Sequence, residues 1–404
     1  MRVAVIGAGI AGVTTAYELA RQGDEVTVYE RRGSVAGESS FAAGGIVSAG
    51  HIAPRVLPAL GGFGGWRALA HMPWLWRWWR AGRPAVLAAN RRALQQLAHA
   101  SRERMLELTR ALDLEYEQEP GLLVLLRDER DLKAARAPLA LLAEWGVAHE
   151  LVDAARCRAL EPGLAERAPV HAAIHLAQDG VGNCRLFAQQ LKTQAQRLGA
   201  DFRLDAAVRA LVPGARPGVV DAAGRQREFD AVVVCAGAQA APLLAPLGLR
   251  LPLLPVQGYS VTAPLRHLDG LPRPGPRAAL IDERMGVTIA RLGQRVRASG
   301  CAELGGKAAQ VELEPLRRLY RLLEEWFDGA AVTREAQHWK GAQPALPDGP
   351  PVLGASGAPG IWLNLGHGAS GWTLACGSAR VLAELVAGRA ATIDLERYSA
   401  ARLR

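Results

Sequence analysis

No run of about 20 apolar residues occurs in this chain, which excludes an ordinary membrane-spanning helix. Cysteine is scarce, at five in 404 residues. Cys157, Cys184, Cys235, Cys301 and Cys376 show no metal-ligand or redox spacing. The odd count points to buried thiols in a reducing compartment rather than to disulfides, and no metal site is expected. Aromatic residues make up only 5% of the chain. No basic run alternates with them, so a formal charge of +9 does not amount to a nucleic-acid reader. A basic surface still suits anionic substrates or an anionic membrane face. There is no Ser/His/Asp set, internal repeat or low-complexity tail. What remains is an ordinary soluble composition, half hydrophobic and 22% charged, long enough for two intertwined domains.

The strongest positive signal lies between Arg2 and Glu30. Val3 to Ile6 reads as a buried strand, Gly7-Ala8-Gly9-Ile10-Ala11-Gly12 as a turn, Val13 to Arg21 as a helix, and Glu25 to Tyr29 as a second strand ending at Glu30. A tight turn needs Gly7, close approach to a pyrophosphate needs Gly9, and close helix–strand packing needs Gly12. The helix N-terminus offers unpaired N–H groups and a favourable dipole to phosphate. Glu30 is placed to bind both ribose hydroxyls, which favours a nucleotide without a 2′-phosphate. Arg2 ahead of an apolar stretch resembles a signal peptide superficially. Glu18 and the intact fingerprint argue against one, because cleavage there would destroy the site.

Further along, Ser39 to Gly45 is a run of small residues broken only by Phe41, suited to close approach of a planar ligand. Gly61 to Arg83 holds five of the ten tryptophans, interleaved with arginines. It reads either as a membrane-interface segment or as a helix packing aromatics into a domain junction. Helices are expected over 91–111, 129–145 and 315–326. Strands are expected over 121–126, 202–212, 218–221, 229–235, 258–264, 286–292 and 295–301. The apolar run Ala231 to Cys235 ends in Ala236-Gly237-Ala238, small residues at a strand's C-terminal end, where ligands of an open parallel sheet sit. A last glycine cluster, Gly366 to Thr373, follows the strand Ile361 to Asn364 and leads into a helix through Leu385.

These clusters, with Gly258-Tyr259-Ser260-Val261-Thr262 and Pro347 to Gly354, resemble the D-amino-acid oxidase superfamily of FAD enzymes over essentially the whole length. Within it the chain is most similar to bacterial D-amino-acid dehydrogenases of the small-subunit type. The resemblance implies an α/β fold with a Rossmann-like FAD domain assembled from 1–84, 178–250 and 338–404. A substrate domain on an antiparallel sheet, 85–177 and 251–337, is inserted into it. It implies pyrophosphate contacts from Gly7, Gly9, Ile10, Ala11 and Gly12, with Glu30 and Arg31 at the adenosine end. Ser40, Ala42, Ala43, Gly44 and Gly45 would approach pyrophosphate and flavin. Val208 would present backbone to adenine, and Ala236 and Gly237 lie at the same sheet edge. Gly366, His367, Gly368, Ala369, Ser370, Gly371, Trp372 and Thr373 would close over the isoalloxazine. A helix starting near Ser370 would aim its positive end where reduction leaves negative charge. Phe41 stands near where some relatives attach flavin through histidine, so FAD is expected to be non-covalent.

The implied activity is oxidative deamination of a D-amino acid or related amine. Hydride passes to flavin N5 and electrons then pass to a quinone or another carrier. The flavin carries the chemistry, so no catalytic residue is singled out. Two alternatives stand beside it: an oxygen-using oxidase of the same fold, and a non-catalytic, membrane-associated flavin-binding subunit. The expected location is cytoplasmic or peripheral on the inner face of the cytoplasmic membrane. The family's carboxylate-clamping arginine, in an Arg-Pro step, is replaced here by Gln343-Pro344, and glutamine cannot form that charged pair. The family's tyrosine and asparagine positions near the small-residue loop carry His51 and Ala43. These departures point toward a large, weakly anionic or secondary-amine substrate. His51, Tyr259, Arg291, Gln343 and Trp372 are the candidate substrate contacts. For His51 a structural role stays open, for Tyr259 and Trp372 plain burial, and for Arg291 a strand-surface position.

Overall fold

The computed structural model describes residues 1–51, 71–266, 274–304 and 311–403. Trp66 and the rest of 52–70 lie outside the described residues, so the tryptophan-rich stretch can be followed only from His71 onward.

The N-terminal fingerprint folds as a strand Arg2–Ile6, a helix Ile10–Arg21 and a strand Glu25–Tyr29. Both strands bury every residue but their first, so continuous apolar runs are what such strands require. They form the middle of a six-stranded sheet. Its order is Val352–Ala355, Ile361–Leu365, Ala231–Val234, Arg2–Ile6, Glu25–Tyr29, Asp201–Arg203. All neighbours are parallel except the edge strand Val352–Ala355. Helices Ile10–Arg21, Cys184–Arg197 and Gly371–Val386 share one core on one face of this sheet. Leu211, Val219, Phe229, Leu244 and Leu403 belong to the core on the other.

A second sheet has eight strands, in the order Gln337–Ala345, Leu254–Pro264, Arg295–Leu304, Val287–Leu292, Ala279–Asp282, Leu122–Leu126, Ala172–His175, Glu150–Asp153. It is antiparallel except where Ala279–Asp282 meets Leu122–Leu126. The helix Leu313–Trp326 lays Leu316, Leu319, Leu322, Leu323 and Trp326 on one of its faces, a stripe at helical spacing.

Two elements cross the division expected from sequence. The strand Gln337–Ala345 pairs along Leu254–Pro264 in the larger sheet, although 338 onward was expected with the nucleotide unit. The helix Pro84–Leu112, expected with the substrate domain, packs Leu94, Leu97 and Ala98 against Leu353, Leu374 and Tyr398 of the nucleotide side. The strand expected over 202–212 is also two strands, Asp201–Arg203 and Val208–Val212. The chain between them turns through Asp205 at φ 51°.

Glu161 is 3% exposed, and its Oε2 accepts the Arg277 N–H at 2.7 Å. Burial pushes its carboxyl up to about 7, against the opposing pull of the Arg277 and Gly163 N–H groups and of the charges on Arg277 and Arg291. The folded value lies above the ordinary 4.5, so between these limits the folded chain holds a proton that the unfolded chain has lost. The stability linked to Glu161 is complete below the ordinary carboxylate range and is lost as pH rises through about 7. Glu161→Gln carries no such penalty. At pH 8 it is expected to unfold at higher denaturant concentration, by on the order of 2 kcal/mol, with a flatter stability profile between pH 5 and 8. A variant weaker than the parent at pH 8 contradicts this.

Candidate active site

The C-terminal ends of the parallel strands border two neighbouring cavities. The outer cavity, of about 740 Å³, is lined by Gly7, Gly9, Glu30, Arg31, Val208, Ala236 and Gly237, among others. The inner cavity, of about 90 Å³, is lined by Ile10, Ala11, Ala43, Gln343, Gly366, His367, Gly368, Ala369, Gly371 and Trp372. Gly9, Ser39, Ser40, Cys235 and Gly237 line both. Segments distant in sequence therefore border two adjoining cavities.

The glycines show why that space exists. Gly7 has φ +100°, and a Cβ there would sit 2.7 Å from the Cys235 carbonyl oxygen. A Cβ on Gly12 would stand 1.8 Å from the Gly7 oxygen, so the helix can lie this close to the turn only without a side chain. At Gly9 the nearest atom to such a Cβ is Ser40 Oγ at 3.5 Å, which leaves room toward the cavities. Ser40 Oγ accepts the Ile10 N–H at 3.1 Å, and no acidic side chain occupies the helix's first turn. Glu30 is 8% exposed. Its carboxylate accepts the Ala8 N–H at 2.7 Å and the Arg32 N–H at 2.9 Å, leaving lone pairs on both oxygens. Arg31 and Arg32 both reach Glu38 at the mouth, at 2.7 and 2.6 Å.

At the inner end, Gly366 has φ +84°, and a Cβ there would meet Leu346 at 2.5 Å. A short turn, Gly368–Ser370, leads into the helix, which begins at Gly371. His367 Nε2 faces Ser378 Oγ at 3.1 Å, and burial holds its imidazole down to about 4, so it is neutral at physiological pH. Trp372 donates its Nε1–H to the Gly45 carbonyl at 3.2 Å and packs edge-on to Tyr116 and Phe187. Thr373 Oγ1 donates to the Ile46 carbonyl at 3.3 Å. Ala42 is buried, and Gly44 and Gly45 press against Thr288 and Val181. Ala42, Gly44, Gly45, Ser370 and Thr373 thus sit behind the lining residues and hold them in place. Asn364 lines the inner cavity with its side-chain oxygen buried and without a partner. Burial pushes the thiols of Cys184 and Cys235, which also line it, up to about 12, so both are protonated.

The substrate candidates separate. Gln343 and Trp372 line the inner cavity. Tyr259 points to the opposite face of its strand, into the core under the helix Leu313–Trp326, with its OH on Glu303 Oε1 at 2.7 Å. Arg291 is 4% exposed. Its guanidinium donates to the carbonyls of Pro276, Gly293 and Pro274 at 2.6, 3.1 and 2.6 Å, which accounts for its burial without a ligand. His51 is half-buried, with its N–H on Ser48 Oγ at 2.7 Å. Burial lowers its imidazole from the usual range against the pull of Glu283 and Asp179. Neither Tyr259, Arg291 nor His51 lines either cavity. Lining residues that sequence reasoning passed over include Gln257, Trp339, Lys340 and Gly341. Their signal was the strand partnering Gly258 to Thr262, whose pairing is non-local.

The model of the family described as FAD dependent oxidoreductase matches residues 2–385. The chain belongs to that family. The D-amino acid dehydrogenase of Cereibacter sphaeroides is 39% identical, over 99% of this chain and 96% of its own. The D-amino acid dehydrogenase of Rhizorhabdus wittichii is 37% identical, over 98% of each chain. Among solved structures, glycine oxidase from Geobacillus kaustophilus superposes with a TM-score of 0.79 at 22% identity, over 98% of this chain and 97% of that one. L-Proline dehydrogenase from P. horikoshii superposes at 0.76 and 20%, over 99% and 97%. The fold is that of this flavoenzyme family, and FAD is its cofactor. The residues present fit the group: a glycine-lined helix start for the diphosphate, a carboxylate with free lone pairs for ribose, and an unpartnered buried amide oxygen at the ring end.

No histidine or reactive thiolate stands at the small-residue loop: position 41 is Phe, its ring 4.2 Å from the Arg185 guanidinium carbon, and both nearby thiols are protonated. Acid precipitation of the yellow protein is therefore expected to leave all flavin in the supernatant. Colour remaining in the pellet contradicts this.

Proposed function

We propose that this protein is a dehydrogenase that removes hydride from the carbon beside the nitrogen of a D-amino acid or related amine, giving an imine that hydrolyses in water. Bound FAD supplies the two-electron acceptor. The observation that carries the reading is the inner cavity, where the N-terminal turn of the helix Gly371–Val386 meets the strand Gln337–Ala345. The chain's own contribution there is placement and environment. The helix start favours negative charge at the ring end. Neutral His367 and two protonated thiols leave that charge uncontested and offer no competing nucleophile. The near-full-length likeness to D-amino acid dehydrogenases supports this substrate class. The test is anaerobic titration of the flavin absorbance with a panel of D-amino acids and cyclic amines. Bleaching by at least one class is expected, and bleaching by none sinks the reading.

One observation bears on where the electrons go. The helix Met72–Arg80 buries Trp74 but leaves Met72, Trp76 and Trp79 exposed at 52, 53 and 65%. Pro73 is accommodated in its first turn, and Arg80 stacks over Trp76 at 4.7 Å. Arg77 ties the helix to the Leu403 carbonyl. Among the described residues no helix is long and apolar enough to cross a membrane. Exposed tryptophan and arginine on one short helix suit the headgroup level of an anionic bilayer. We propose that this helix docks the enzyme on the inner face of the cytoplasmic membrane and delivers electrons to a quinone there. Trp76→Ala with Trp79→Ala is expected to weaken sedimentation with phosphatidylglycerol vesicles by about tenfold or more. Unchanged sedimentation removes this part of the proposal.

A further inference from the structure

The strand Gln337–Ala345 and its neighbour Leu254–Pro264 each carry one glycine, and register sets Gly341 directly opposite Gly258. Neither has a positive φ, so backbone conformation calls for glycine at neither position. Glycine inside a strand weakens it and often marks a place where a ligand comes close to the backbone. The next register pair, Tyr259 and Lys340, points to the face covered by the helix Leu313–Trp326. Lys340 Nζ lies there 3.1 Å from Glu303 Oε1 and 5.0 Å from the centre of the Tyr259 ring. His338 shares that face, its Nε2 2.7 Å from the Tyr320 hydroxyl. By alternation Trp339, Gly341, Gln343 and Gly258 share the opposite face, on which neither strand places a charged side chain.

Two side chains flank the glycine pair on this face, and both line the site. A Cβ on Gly341 would fall 1.8 Å from Trp339 Cη2 and 2.0 Å from Cζ2, so the indole lies down along its own strand, over Gly341. A Cβ on Gly258 would meet nothing nearer than Gln343 Nε2 at 3.5 Å, an ordinary contact. The indole therefore explains Gly341, and no protein group explains Gly258. Trp339 and Gly341 line the outer cavity, and Gln343 lines the inner one. Residues two apart on a strand stand about 7 Å from each other. The ring over Gly341 is thus one such step from Gln343 and the ring end of the site.

We infer that the bare backbone of Gly258 and Gly341, with Trp339 at one end and Gln343 at the other, seats the apolar group carried on the reacting carbon of the substrate. That group is an aromatic or branched side chain, or the ring of a cyclic amine. This deepens the amine-oxidation reading and rests on it. A flat apolar group suits the seat, which has backbone beneath, an indole beside it and a neutral amide at the reacting end, with no charge to desolvate. Trp339 and the two glycines then determine which amines the enzyme prefers.

The test uses the full-length, FAD-loaded protein with 3-phenylpropionate and propionate, the amine-free counterparts of D-phenylalanine and D-alanine. Binding is read by the change in the flavin absorbance spectrum. The parent is expected to take 3-phenylpropionate at least about tenfold more tightly than propionate. In Gly258→Ala the new methyl group occupies the seat, and this preference is expected to fall by about tenfold. Gly341→Ala lifts the indole into the cavity and Trp339→Ala removes it, so each also lowers the preference. Under anaerobic reduction, Gly258→Ala raises the ratio of half-saturating D-phenylalanine to D-alanine by a similar factor. A parent that takes both acids equally, or neither, overturns the assignment, as does a Gly258→Ala protein that keeps the full preference. A Gly258→Ala protein whose main loss is FAD affinity also overturns it, since the space is then the cofactor's. Should Gly341→Ala fail to fold, Gly258→Ala decides, because its Cβ makes only an ordinary contact. Binding of the two acids needs no turnover. A protein that shows the preference and its loss, but is reduced by no amine, would sink the proposed function and leave this seat standing.

Discussion

Gly12→Ala is expected to cost this protein its flavin. The added Cβ would lie 1.8 Å from the Gly7 oxygen and 2.9 Å from the Gly7 carbonyl carbon. Both are backbone atoms, so no rotamer change relieves the contact. Gly7 cannot retreat, because its own backbone is already against the Cys235 carbonyl, where a Cβ would find only 2.7 Å. The helix Ile10–Arg21 must therefore lift off the turn, and with it the N–H groups aimed at the cavities. Overpacking of this kind costs about 3 kcal/mol or more. If that strain falls on the ligand-binding geometry, FAD affinity drops on the order of 100-fold. The purified variant is expected to be colourless at micromolar concentration, with a lower denaturation midpoint. A Gly12→Ala protein that is yellow and as stable as the parent would show that the turn has slack the close contact denies. Gly9→Ala is the control. Its Cβ meets nothing nearer than Ser40 Oγ at 3.5 Å, so the fold survives, and any loss of flavin comes from the ligand side.

What the chain discloses in one dimension follows the distance over which each feature is encoded. The nucleotide unit is contiguous, and its strand, turn, helix and acid were legible to within three residues, the helix starting at Ile10 rather than Val13, because every constraint lies inside residues 2–30. The glycine-rich helix start near residue 370 was legible for the same reason. The strand Gln337–Ala345 was not. It lacks a β-branched run and contains Pro344, which reads as a break until the strand proves to be the edge of its sheet, where proline is tolerated. The helix Pro84–Leu112 was visible from its spacing, but its partner was not, because the residues that cover it come from the far C-terminus. Arg291 and Arg297 show the same limit. Both alternate with apolar neighbours in strands, as solvent-facing residues do. One folds onto three loop carbonyls, and the other lies buried beneath the small-residue loop. No local pattern separates those fates, since the groups that bury each arginine come from other parts of the chain.

Glu18→Ala is expected to be the most destabilising single carboxylate removal in the nucleotide unit. Glu18 is 1% exposed and receives Arg104 on both oxygens, Nε at 2.6 Å and Nη2 at 3.2 Å, with Arg21 Nε at 3.1 Å. Arg104 is itself 10% exposed at the side chain and comes from the helix Pro84–Leu112. The pair thus bolts a helix from the middle of the chain to the helix that presents the phosphate-facing amides. Removing the acid strands a largely buried guanidinium with only half-exposed Glu107, at 2.8 Å, as counter-ion. Breaking one side of a buried pair costs about 3–5 kcal/mol, most of it the desolvation of the survivor. The double replacement Glu18→Met with Arg104→Met removes both charges and keeps volume, so it is expected to recover most of that loss. Denaturation midpoints of the two singles and the double give the coupling directly. If the double falls as far as the sum of the singles, the pair is not acting as a unit. The long helix must then be held by its apolar stripe of Leu94, Leu97 and Leu108 alone.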